Sequence, residues 1–165
     1  MKQLVLFFIL LLNILKADAL PEYTLKVAYL YNFALLTDWS NKQQSSDFSI
    51  CFYQEDFGEA SDVLNNKDFR NQKIKTSTIS SLKEANSCQI VFIRESEKEG
   101  GKKLIKELLG KQVLIVSENK ELTDSHIRIL QNNNKLSFDV SLNTLKESDL
   151  IVSSRLLKLA RKVTQ

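Results

Sequence analysis

Two continuous apolar runs separated by a charge-rich amphipathic segment constrain this chain more than any other feature. The runs are Cys88-Gln-Ile-Val-Phe-Ile and Gln112-Val-Leu-Ile-Val. Both are short and rich in β-branched residues, and apolar side chains do not alternate with polar ones. That pattern suits a strand covered on both faces. Between them, residues 96–109 are rich in Lys and Glu and read as a helix, with Gly110 placed to end it. Strand, helix and strand in that order make a right-handed crossover between parallel strands.

The flanking segments extend the same architecture. Phe48-Ser-Ile-Cys-Phe-Tyr is a first strand and Lys73-Ile-Lys-Thr-Ser-Thr a second, with a short helix over 59–65 between them. A further helical turn is expected over 79–85. Ile127-Arg-Ile-Leu and Leu136-Ser-Phe-Asp-Val flank Asn132-Asn133-Asn134. Asparagines tolerate left-handed backbone angles, so an antiparallel hairpin is expected there. A helix is expected over 22–36, with Leu25, Tyr29 or Ala28, Asn32 or Phe33, and Leu36 recurring at helical spacing. The fold class is α/β: a mainly parallel five-stranded sheet flanked by helices on both faces, with an antiparallel edge hairpin.

The N-terminus belongs to a different class of sequence. Met1-Lys2 is a short positive region, Leu4 to Leu15 is apolar apart from Asn13, and Ala17-Asp18-Ala19 is a small-x-small site. These are the three parts of a secretory signal peptide over 1–19, cut after Ala19. Residues 20–165 then form a single domain of ordinary size. The net charge of +3 is small, and its basic residues are interspersed with acidic ones. Nucleic acid is not an expected partner.

The chain has two cysteines, Cys51 and Cys88. In an exported protein such a pair forms a structural disulfide, worth about 3–4 kcal/mol for a loop of this length. Two free buried thiols are the alternative. A redox-active pair would want Cys-x-x-Cys spacing, which is absent. No glycine-rich phosphate loop follows a strand, because Gly100-Gly101 falls inside the expected helix. The single histidine, His126, has no second histidine with which to build a zinc site and reads as a loop residue entering a strand. No nucleophile elbow is present, and the pair Glu95/Glu97 reads as ordinary solvated carboxylates. No catalytic residue, metal or cofactor is expected.

Two features point to contact with something else. The first is the aromatic cluster Tyr23, Tyr29, Tyr31, Phe33 and Trp39, which packs on the sheet or, at its edge, meets a partner or ligand. The second is the chain's end. Ser153 is placed to cap a final helix, with Val152, Leu156, Leu159 and Val163 along one face and Arg155, Lys158 and Lys162 along another. Tyr29, Tyr31, Phe33, Trp39, Arg155 and Lys158 are the candidate contact residues.

Ala28-Tyr-Leu-Tyr-Asn-Phe-Ala with Asp38-Trp39 resembles the opening helix of the YfiR family of exported proteins. Ile50-Cys-Phe with Asp56-Phe-Gly, Ser87-Cys-Gln-Ile-Val-Phe-Ile and Val113-Leu-Ile-Val-Ser are similar to that family's successive strands. Phe138-Asp-Val-Ser-Leu-Asn and Leu150-Ile-Val-Ser-Ser-Arg-Leu-Leu-Lys-Leu-Ala resemble its closing signature. The resemblance implies a periplasmic, non-enzymatic regulator with a Cys51–Cys88 disulfide that acts as a homodimer. It would bind and repress the periplasmic sensor domain of an inner-membrane diguanylate cyclase, controlling cyclic-di-GMP and biofilm formation. An alternative is a small-molecule-binding module acting with a sensor histidine kinase, its ligand beside the aromatic cluster.

Overall fold

The computed structural model describes residues 19–39, 46–132 and 135–165. Residues 1–18 of the expected signal peptide and Asn133-Asn134 of the expected hairpin lie outside the described residues, as does most of the polar stretch after Trp39. Helix α1 (Ala19–Leu36) leads into β1 (Thr37–Asp38) and β2 (Asp47–Tyr53). Then follow α2 (Glu59–Asp62), β3 (Asp68–Phe69), β4 (Gln72–Ile79), α3 (Leu82–Ala85), β5 (Ile90–Ile93), α4 (Lys98–Leu108) and β6 (Leu114–Ser117). The chain closes through β7 (Ile127–Asn132), β8 (Lys135–Ser141), α5 (Leu142–Glu147), β9 (Ile151–Val152), α6 (Ser154–Leu159) and β10 (Lys162–Thr164).

The main sheet has eight strands in the order β10-β8-β7-β6-β5-β2-β4-β3. It is mixed rather than mainly parallel and five-stranded: β3 pairs β4 and β7 pairs β8 in antiparallel fashion, while the other pairs are parallel. Nor is the hairpin at the edge, because β10 adds outside β8. The extra edge strand has a physical cause at the chain's end. Ser153 caps α6 as expected, accepting from the Leu156 N–H, but the helix stops at Leu159 and Ala160 is extended. Arg161 then reaches Asp139, with Nε at 2.9 Å and Nη2 at 2.6 Å from its carboxylate. A bidentate pair of this kind fixes direction as well as energy. It lays Lys162–Thr164 along β8, so Val163 belongs to a strand and not to the helix.

Strand periodicity divides the core in two. Ile50, Ile90 and Leu114 stand in register across β2, β5 and β6, and so do Phe52, Phe92 and Val116. Their side chains meet α1, α2, α5 and α6 on one face. Cys51, Val91 and Ile115 form the alternate row and meet α3 and α4 on the other. Helices thus cover both faces. Helix α4 comes close enough that a Cβ on Gly101 would sit 2.7 Å from Leu122 Cδ1 and 3.0 Å from Ile93 Cγ2. The glycine pair serves helix–sheet packing, not a phosphate. Gly110, at φ 80°, ends the helix segment as its position suggested.

Helix α1 buries Val27, Leu30, Phe33 and Ala34. That face is rotated from the expected stripe, and Leu25 is 46 % exposed. Apolar residues occur around the whole helix, so spacing alone does not select a face.

The cysteines do form a disulfide, Cys51–Cys88, which joins β2 to the entry of β5 with Cα atoms 6.0 Å apart and a sequence separation of 37. It lies within the α3/α4 side of the core. His126 does enter β7, and it is fully buried. Its Nδ1 accepts from the Ile115 N–H at 2.8 Å, which leaves Nε2–H to donate to Ser148 Oγ at 2.9 Å or the Thr144 carbonyl at 3.1 Å. A neutral imidazole therefore pins β6 to α5. Burial pushes its pKa down to about 4, against a weaker raising effect of the Thr144 carbonyl.

Two outcomes follow for stability. Replacing both cysteines by alanine should lower unfolding free energy by about 3 kcal/mol in denaturant titration at neutral pH. Between pH 6.5 and about 4 the unfolded state takes up a proton on His126 that the folded state refuses. Stability is therefore complete above that window and falls by about 3 kcal/mol as pH drops through it. Denaturant midpoints measured across the window should show this slope in the wild type and a much shallower one in His126→Gln.

Candidate functional site

The ends of α1 and α6 meet over β8 and leave an apolar groove of about 330 Å³. Tyr29, Phe33 and Leu36 supply one wall, Phe138 the floor, and Arg155 and Leu159 the other wall. The aromatic rings are fixed by one another. Tyr29 lies 5.8 Å from both Phe33 and Phe138, and Phe33 lies 5.0 Å from Phe138. Tyr29 also donates its hydroxyl to the Leu136 carbonyl at 3.2 Å. Phe33 is fully buried, so it shapes the groove from beneath. Leu159 is 63 % exposed and stands over it beside a charged Arg155. A rigid aromatic base with an exposed aliphatic and a cation at the rim is suited to binding a protein surface.

Three of the six candidate contact residues thus come together, namely Tyr29, Phe33 and Arg155. The others do not line this groove. Tyr31 lies elsewhere on α1, where its hydroxyl donates to the Asp68 carbonyl at 3.4 Å and the Lys67 ammonium sits 4.9 Å from its ring. Trp39 folds back on α1, donating to the Ala34 carbonyl at 2.9 Å and meeting Phe48 edge-on. Lys158 is exposed.

A second concavity escaped the sequence reading. The parallel strands run in the spatial order β4-β2-β5-β6-β7, so the chain steps to one side of β2 and then returns to the other. In sheets of this kind the crevice at the carboxyl ends of the strands, near that reversal, is where ligands collect. Here a polar pocket of about 380 Å³ opens beyond the ends of β5 and β6. Lys26, 5 % exposed, extends from α1 to Glu118 at 2.5 Å and Glu22 at 2.6 Å. Burial alone would push the Lys26 ammonium down, but the hydrogen bonds to both carboxylates outweigh it and hold its pKa above the usual lysine value. The Lys26 hydrogen bond in turn holds Glu22 below the usual carboxylate range.

Arg94 follows β5 directly and binds Glu55 at 2.9 Å, the Asp56 carbonyl at 3.3 Å and the Tyr23 hydroxyl at 3.3 Å. Tyr23 stacks on Phe57 with centroids 5.1 Å apart. The legible signal was position: Arg94-Glu95 and Glu118 come immediately after the two buried strands.

Chemically, the first concavity offers apolar and aromatic surface with a cation at its rim, and the second offers paired charges. The one imidazole is buried, with both ring nitrogens engaged. Among the described residues no group of three His, Cys, Asp or Glu side chains is placed to hold a metal ion.

No curated protein matches this chain. A family model described as YfiR/HmsC-like matches residues 23–161, from the tyrosine at the polar pocket to the arginine that closes on Asp139. The chain belongs to the YfiR/HmsC-like family.

Proposed function

We propose that this protein is an exported, non-enzymatic regulator. It acts as a homodimer in the periplasm, binds the sensor domain of an inner-membrane diguanylate cyclase, and holds it inactive. The observation that carries this reading is the family match over residues 23–161. The Cys51–Cys88 disulfide supports it, because such bonds persist in oxidising compartments. No helix among the described residues is long and apolar enough to cross a membrane.

The α1–α6 groove is the proposed contact surface. A regulator of this kind works only by binding one conformation of its partner more tightly than the other. Leu159 would supply the apolar anchor and Arg155 the charged rim contact that favours the repressed conformation.

Leu159 and Arg155 are both exposed, so substituting them spares the core. Cross-linking in living cells, followed by mass spectrometry of membrane-bound adducts, tests the reading. The wild type should capture an inner-membrane protein bearing a cyclase domain. Leu159→Asp combined with Arg155→Glu should weaken capture roughly tenfold or more, the loss of one interface anchor. Capture unchanged in that variant would remove the groove from the interface, and a wild type with no membrane adduct would overturn the function.

A further inference from the structure

The polar pocket contains two kinds of charge. Lys26, Glu22, Glu118 and Arg94 are closed on one another and on the backbone around them. Lys120 and Glu95 also line the pocket, but both are exposed, and the ammonium of one and the carboxylate of the other make no ion pair or hydrogen bond among the described residues. The backbone beneath them is fixed. The Glu95 N–H donates to Glu118 Oε1 at 3.2 Å, its carbonyl accepts from Asn119 Nδ2 at 2.6 Å, and the Lys120 carbonyl accepts from Arg128 at 3.4 Å. The pocket therefore offers one uncommitted cation and one uncommitted anion over a network that is already neutralised.

We propose that this pocket binds a small zwitterion, with the ligand's carboxylate on Lys120 and its ammonium on Glu95. Other ligand classes fit the charges less well. A simple anion would gain Lys120 but lie among Glu95, Glu22 and Glu118. A simple cation would meet Lys26 and Arg94. An apolar molecule would strip water from charges without replacing it. A zwitterion brings no net charge, so the buried Lys26–Glu118 pair stays intact while both free groups gain partners. Tyr23, fixed against Phe57, gives the ligand's carbon skeleton an aromatic wall. The location, beyond the ends of β5 and β6 beside the reversal of strand order, is the place an open α/β sheet offers to small ligands. Contacts to two exposed charges give weak affinity, with a Kd on the order of millimolar or higher.

The test is an amide-resolved NMR titration of the domain with glycine, β-alanine and 4-aminobutyrate, which differ in charge separation. Acetate, methylammonium and glucose serve as anion, cation and neutral polar controls. At least one zwitterion should give saturable shifts at Ser96, Lys120 and Gln131, and the controls should give none. Lys120→Gln and Glu95→Gln should each weaken binding roughly two- to fivefold without changing the unfolding midpoint. Saturation by acetate or glucose as strong as by the zwitterions would overturn the assignment. So would the absence of any saturable shift, or indifference to both substitutions. The Leu159/Arg155 variant of the groove should retain this binding, so this inference and the partner reading fail separately.

Discussion

The ammonium of Lys26 is buried between Glu118 at the end of β6 and Glu22 on its own helix, and the seating of α1 depends on it. Val27, Leu30, Phe33 and Ala34 fill the sheet's surface, but apolar contact alone is tolerant of sliding. A doubly paired buried ion is not. Sliding the helix would carry the buried ammonium away from Glu118 and leave both charges under-compensated, so one helix position is strongly preferred over its neighbours. The other end of α1 is fixed as well. Arg70 donates to the carbonyls of Leu35 and Thr37, Thr37 Oγ1 to that of Phe33, and β1 pairs with β9. The first turns of α1 wall the polar pocket and its last turns wall the apolar groove. Both sites therefore inherit their shape from one helix.

On the opposite face the sheet is held by different means. The disulfide crosses between two neighbouring parallel strands within the α3/α4 layer, and α4 lies close through Gly101. His126 couples this region to the chain's end, since it bonds the Ile115 N–H on one side and the α5 segment on the other. Asp139 completes the closure by taking Arg128 from β7 and Arg161 from the approach to β10. Ser141, two residues further along the same strand, caps α5 by accepting from the Thr144 N–H. Each of these polar residues fixes where a strand or helix begins, stops or turns.

Much of the fold was legible because it rests on local pattern. The unbroken apolar runs at β5 and β6 could be read as strands covered on both faces, and Ser153 and Gly110 as helix boundaries. The final strand was not legible. Leu156, Leu159 and Val163 keep a helical spacing, and only the tertiary pairing of Arg161 with Asp139 breaks it. The groove was half legible. Tyr29, Phe33 and Arg155 stood out as an aromatic and a cationic feature, but the sequence could not say that Tyr31 and Trp39 would be turned elsewhere along α1. The polar pocket was missed, although Arg94 and Glu118 directly follow buried strands, for a simpler reason. Lys26, Arg94 and Glu118 are distant in sequence, and each alone has the composition of a solvated surface.

The Lys26–Glu118 pair fixes α1 to the sheet. Native-state amide hydrogen exchange of the wild type and of Glu118→Gln measures this most directly. In the wild type, amides of residues 27–36 should be protected nearly as well as those of β2 and β5, and the substitution should lower protection in α1 before it lowers protection in the sheet. An α1 that already exchanges far faster than the sheet in the wild type, or one whose protection is unchanged in Glu118→Gln, would mean that the ion pair does not seat the helix.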